Sequence, residues 1–246
     1  MAIRAAGPGD EPVDVAVTMR TPGGEAELAV GFLRTEGLIA GREDVLRVNF
    51  GDPAVTSQPD DEVTVRLRKP FDASSVAERH FVANASCGIC GKASLDDVAV
   101  RCDPIPAGRP TVDRDVIVAL PGRLRAAQAV FAATGGLHAA GLFDSDGRLI
   151  TLREDVGRHN ALDKLVGAEL LAGRLPLNDR VLLVSGRISF EIAQKAAVAG
   201  LPILCAVSAP SDLAVEVGRR LGMTLIGFLR GDGFNVYSGA ERIAGL

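Results

Sequence analysis

From residue 138 onward the chain alternates short apolar runs with amphipathic stretches, an order that leaves few folds open. The periodicity predicts helix 156–171, strand 181–185, helix 189–199, strand 203–207, helix 212–221 and strand 224–229. Short strands this uniformly apolar need cover on both faces. The expectation is therefore an α/β fold whose mostly parallel sheet lies between helical layers. Ahead of this block, a helix is expected from Pro121, at a first-turn position, to Ala133, just before Gly135-Gly136. Strands His138–Phe143 and Arg148–Leu152 follow, joined by the turn Asp144-Ser-Asp-Gly147.

The first third reads differently. Val13–Met19 and Glu62–Arg68 alternate apolar and polar residues as half-buried strands do, and Glu25–Ile39 sets Leu28, Phe32, Thr35 and Ile39 on one helical face. Between the two patterns, residues 83–110 follow neither period and carry two cysteines as Cys87-Gly-Ile-Cys90 together with Pro104, Pro106, Gly108 and Pro110. The expected organisation is an α+β lobe over residues 1–82, a mobile loop and linker over 83–110, and a larger α/β lobe over 111–246.

Composition excludes several classes of function. A net charge of −4 argues against nucleic acid or an acidic membrane surface as partner. No run approaches the roughly 20 apolar residues needed to span a bilayer, and Met1–Asp10 has no apolar signal core, so a cytoplasmic location is expected. Four cysteines are too few and too unevenly spaced for a disulfide framework. Cys205, inside the apolar run Leu201–Val207, reads as a buried small hydrophobe.

In open α/β sheets, ligands bind beyond the carboxyl ends of the strands. Here those ends are loaded with polar residues: Arg153–Asn160, Ser185–Ser189, Ser208–Asp212 and Arg230–Gly233. Arg158, Arg187 and Arg230 suit bidentate pairing with phosphate, and the neighbouring glycines allow close backbone approach. The inference is a site for an anionic, phosphorylated ligand, against the plainer reading that such loops are polar and glycine-rich anyway. His159 divides between ligand contact and a surface role, and His138 between catalysis and a hydrogen-bonded core position. Glu154-Asp155 divides between acid–base work and helix capping.

The Cys-x-x-Cys pair has three possible guests. Structural zinc would need a second ligand pair, and none follows at finger spacing. A zinc deaminase is a sharper version, since Gly135-Gly-Leu-His-Ala139 resembles half of that signature, but Ala140 stands where the acid–base glutamate belongs. A thioredoxin-like dithiol normally opens a helix, whereas glycines surround this pair. The third reading is a sulfur carrier, one thiolate holding sulfur as a persulfide and its neighbour resolving the adduct.

Ser86-Cys-Gly-Ile-Cys-Gly91, Thr134-Gly-Gly-Leu-His-Ala139, Glu154-Asp-Val-Gly-Arg-His-Asn-Ala-Leu-Asp-Lys164, Ser185-Gly-Arg187 and Arg230-Gly-Asp-Gly-Phe-Asn-Val-Tyr237 together resemble the formate dehydrogenase accessory sulfurtransferases. The resemblance implies a cytidine-deaminase-like three-layer α/β/α larger lobe without zinc, beside a smaller N-terminal lobe, in a homodimer. It implies sulfur received from a cysteine desulfurase and passed to the bis-guanine-dinucleotide molybdenum cofactor, as cargo, for formate dehydrogenase, with no metal of the carrier's own. Carried over by position, Cys87 holds the persulfide and Cys90 assists. Phe228, Leu229, Arg230, Gly231, Asp232 and Gly233 contact the guanine nucleotide, and Ser185, Arg187, Arg158 and His159 belong to the same anion site. The alternative is a non-catalytic chaperone or zinc-containing binding module for that cofactor. The chain departs from the family's pattern at its start, where Glu11–Val15 precedes Val17–Pro22 in place of a longer strand pair.

Overall fold

The computed structural model describes residues 1–55, 57–77, 104–106, 108 and 110–246. Cys87, Cys90 and the third cysteine, Cys102, lie outside the described residues, as does most of the expected loop. Twelve strands are described: β1 Ala2–Ala6, β2 Val13–Val17, β3 Val45–Phe50, β4 Glu62–Leu67, β5 Val112–Asp113, β6 His138–Phe143, β7 Leu149–Asp155, β8 Val181–Val184, β9 Ile203–Ala206, β10 Thr224–Arg230, β11 Gly233–Ser238 and β12 Ile243–Ala244. The α-helices are α1 Glu25–Thr35, α2 Ser74–Ala77, α3 Arg114–Ala127, α4 Ala129–Thr134, α5 Arg158–Leu171, α6 Phe190–Val198 and α7 Asp212–Arg220.

The larger sheet has six strands in the order β11-β10-β9-β8-β6-β7. Its alternate residues face two different cores. Leu182, Val184, Leu204, Ala206 and Leu225 join Leu162, Leu165, Ile192, Ala196 and Val217 of α5, α6 and α7. Val181, Leu183, Ile203, Cys205 and Ile226 join Ile117, Leu120 and Leu124 of α3 on the opposite face. Both faces are covered, which is why these strands read as unbroken apolar runs. The sheet is mixed rather than mostly parallel: β8, β9 and β10 are parallel, while β6–β7, β6–β8 and β10–β11 are antiparallel. Short connections dictate this at the edges. Only Gly231 and Asp232 separate β10 from β11, and a link that short permits only a hairpin.

The helix expected from Pro121 to Ala133 is two helices, α3 and α4, and the first begins seven residues earlier. Ile117, Leu120 and Leu124 form a fully buried stripe at helical spacing, and that burial outweighs the interior proline. The break falls at Gln128, where the Glu154 carboxylate accepts the N–H groups of Val130 (3.1 Å) and Phe131 (2.9 Å) and so caps α4. Glu154 is thus a helix cap, though of a helix earlier in the chain.

The first 67 residues form a four-stranded sheet, β2-β1-β4-β3, with α1 on one face. The opening hairpin is present: Ala2–Ala6 supplies β1, antiparallel to β2. The other side of α1 crosses α5, with Gly31 over Asp163 and Gly167 over Glu27. Below the crossing, Lys195 of α6 donates to Thr35 Oγ1 (2.8 Å) and pairs with both Asp163 oxygens (3.0 Å each) and with Glu36 Oε1 (2.9 Å). Three helices therefore share one buried ion network. Among the described residues, no helix is long and apolar enough to cross a membrane.

Candidate functional site

The carboxyl ends of β8, β9 and β10 lie on one edge of the sheet with the start of β6 and the end of β7, since His138 pairs with Asp155 and Ser185 N–H donates to Ala139 O (2.9 Å). Backbone bonds lace the adjoining loops together. Ile188 N–H donates to Ala209 O (3.2 Å), Ser211 N–H to Ile188 O (2.9 Å) and Phe228 N–H to Ser208 O (3.1 Å). The four polar junctions read from the sequence form a single rim.

At the β6–β8 end stand His138, Arg158, Ser185 and Gly186. A methyl group at Gly186 would lie 3.3 Å from His138 Nδ1 and 3.5 Å from Arg158 Cδ, so imidazole and arginine stem rest on the same glycine. Burial, then the charge of Arg158, holds His138 below the usual histidine range. His159 lies behind them, Nε2 3.2 Å from Ser189 Oγ and 4.0 Å from Glu191 Oε2. Arg187 is exposed on the β8–α6 loop.

Burial, followed by the charges of Lys195 and Arg158, lowers the His159 pKa from 6.5 to about 4. Unfolding returns it to its ordinary value, so the unfolded chain binds more protons between those limits and stability falls as pH falls through them. Between pH 7 and 4.5, His159 should account for roughly 2 to 3 kcal/mol of lost stability. Urea titrations of the wild type and His159→Gln at both pH values measure this as a shallower pH dependence in the variant; equal dependence in the two proteins refutes it.

The other end of the rim is the turn after β10. Phe228 has φ 53°, the left-handed region that side chains seldom occupy. Its ring is partly exposed, with the Arg230 guanidinium 5.7 Å from its centre, while Leu229 is buried. Gly231, at φ 60°, carries the chain around, Arg230 pairs with Gly233, and Asp232 is exposed. Arg114 at the start of α3 donates to Asp232 O (2.7 Å) and so fixes the turn. No local pattern marks Arg114 for this task, because its partner lies 118 positions away.

The segment 154–164 divides by face. Arg158 and His159 lie at the rim, whereas the fully buried Asp155 accepts from Thr21 N–H (3.0 Å) and Gly157 N–H (2.9 Å) and pairs with Lys164 (2.7 Å). Asn160 donates to Met19 O (2.7 Å) and Lys164 to Thr21 O (2.8 Å). These residues fasten the N-terminal sheet to the rim. Acid–base work by Asp155 has no support in this geometry. Cys205 is sealed in the sheet, and burial raises its thiol far above the ordinary value, so it is inert.

Residues 11–244 match the model of the FdhD/NarQ family. The chain is 48% identical over 244 residues to the sulfur carrier protein FdhD of Nocardia farcinica, covering 95% of this chain and 86% of the relative. It is 50% identical over 238 residues to the protein of that name from Mycobacterium tuberculosis, covering 93% and 86%. A third, from Sulfurisphaera tokodaii, is 45% identical over 235 residues, covering 95% and 86%. The solved structure of a formate dehydrogenase accessory protein from Desulfotalea psychrophila has the same fold, with a TM-score of 0.72 at 23% identity over 99% of this chain and 88% of that one. Taken with a match that runs from β2 to β12 and takes in the whole rim, these relatives establish that the chain belongs to the FdhD/NarQ family.

Proposed function

We propose that this protein is a sulfur carrier that takes a sulfur atom from a cysteine desulfurase as a persulfide on Cys87 and delivers it to the bis-guanine-dinucleotide molybdenum cofactor that formate dehydrogenase requires. The observation that carries the reading is the near-half identity to proteins named sulfur carriers, in a chain whose Cys87-Gly-Ile-Cys90 is the one pair of closely spaced thiols. The inertness of Cys205 supports it by removing the thiol of the sheet core.

The chemistry balances without an outside oxidant. Thiolate attack by Cys87 on the sulfane sulfur of the donor breaks the donor's S–S bond and expels its thiol, leaving Cys87 as the persulfide. Attack by Cys90 on the inner sulfur then forms the Cys87–Cys90 disulfide and releases the outer sulfur as hydrosulfide, two thiols being oxidised as the sulfane sulfur is reduced. The rim suits a large anionic acceptor. From the end of β7 to that of β10 is four inter-strand spacings, about 19 Å, with Arg158, Arg187 and Arg230 set along it. That is the reach of a dinucleotide rather than of a single phosphate.

Incubation with a cysteine desulfurase and labelled cysteine, followed by peptide mass spectrometry, should place added sulfur on Cys87. Sulfur found elsewhere, or activation of formate dehydrogenase by Cys87→Ala, ends the proposal. Stoichiometric zinc in the purified protein would favour a binding module instead.

A further inference from the structure

The hydrogen bonds around His138 fix more than its position. Ser185 Oγ accepts the Ala139 N–H (2.9 Å), which uses one lone pair and leaves its own proton free. His138 Nδ1 lies 3.4 Å away, at the long end of hydrogen bonding, and is placed to accept that proton. A ring that accepts at Nδ1 while neutral carries its hydrogen on Nε2. Nε2, the ring nitrogen that does not face Ser185, has no hydrogen-bond partner among the described residues. Arg158, whose stem rests on Gly186 with the ring, makes neither hydrogen bond nor ion pair with any described residue, although its Nε is buried from water. Buried donors are seldom left without acceptors, and the orphaned Nε of Arg158, on the side chain that shares Gly186 with this ring, points to an acceptor supplied by a ligand.

We infer that His138, held as the neutral Nε2–H tautomer by Ser185, forms with Arg158 a pocket for one oxyanion group of a phosphorylated ligand, at the end of the rim opposite the Phe228–Gly233 turn. The pairing joins a fixed charge to a neutral donor. Arg158 supplies attraction, while the imidazole supplies a directed N–H without a second positive charge to desolvate. Gly186 is the floor, and a methyl group there would press the ring aside by a few tenths of an ångström. From β6 to β10 is three inter-strand spacings, about 14 Å, so a ligand with its base at the turn can reach the pocket with its phosphates. The assignment of a phosphorylated ligand rests on the proposed function above; the tautomer does not.

Nitrogen-15 NMR of the full-length protein tests both parts, with GDP and inorganic pyrophosphate as probes. Expected are a protonated Nε2 and a bare Nδ1 in His138 from pH 6 to 8, and movement of the Nε2–H resonance on saturation with either probe. His138→Leu should weaken GDP binding about tenfold, the loss of one hydrogen bond, whereas His138→Gln, which keeps an N–H donor, should stay within about threefold. Ser185→Ala should let both tautomers appear. An Nδ1–H ring in the wild type, or an unmoved His138 at saturating GDP, overturns the inference and leaves the rim's ligand reading standing. Failure of GDP to bind overturns both.

Discussion

Gly167→Ala is expected to lose roughly 3 kcal/mol or more of folding stability, because the position has no room for a single methyl group. A Cβ there would sit 2.7 Å from the carbonyl carbon of Glu27 and 2.9 Å from Gly31 N, and nearer still to the Glu27 oxygen. These are backbone atoms of α1, so no side chain can swing aside and the helices must separate. Separation would also pull Thr35 and Glu36 from Lys195. The measurement is urea unfolding, with a lower midpoint at unchanged slope. Gly122→Ala is the control: Gly122 lies inside α3 with open space where its Cβ would be, so alanine there should stabilise by up to about 1 kcal/mol. If Gly167→Ala is as stable as the wild type, the helix crossing is not as close as described.

Lys195→Met is expected to cost about 3 to 5 kcal/mol, the range for removing one partner of a buried ion pair. Burial opposes the charge on Lys195, but Asp163 and Glu36 more than offset it and raise its pKa, so the ammonium stays charged at every pH at which the protein works. Methionine keeps the stem's packing and leaves the fully buried Asp163 carboxylate with the Thr35 hydroxyl bond (2.6 Å) but without its ammonium partner. The double variant Asp163→Leu/Lys195→Met removes the two fully buried charges, leaving Glu36 of the network in place in both variants, and should recover much of the loss, which isolates the Asp163–Lys195 coupling from the packing. A double variant that loses the sum of the two single effects would show that the pair does not interact as its geometry says. The sign with pH follows from the raised pKa: this contribution is complete below the unfolded lysine's value of about 10.4 and is lost as pH climbs through the folded one.

The sequence was readable where a residue's neighbours in the chain decide its state. β6, β8, β9 and β10 are short apolar runs covered on both faces, and α5 to α7 follow from the order that links them. β3 was missed because Leu46, Arg47 and Phe50 are exposed on an edge strand with a register shift, which blurs the two-residue period. α3 was misplaced because Pro121 reads locally as a start, while the buried stripe that sets the true start depends on the sheet beneath it. The rim followed from strand order alone. Its supports did not: Arg114 reaches Asp232, Thr21 reaches Asp155 and Lys195 reaches Asp163, pairs joined by the fold rather than by sequence. A single polar motif, 154–164, proved to be two things, a contribution to the rim and a fastening for another sheet.

The left-handed backbone at Phe228 sets two selective pressures against each other. Such a conformation costs of order 1 to 3 kcal/mol in a residue with a side chain, and Phe228→Gly would relieve it. A library screened for thermal endurance alone would therefore drift toward glycine and discard the ring that this turn holds up to solvent. If the proposed function holds, a screen for cofactor delivery keeps the aromatic against that drift, so running the two side by side turns one unfavourable torsion angle into a readout of what the turn is for.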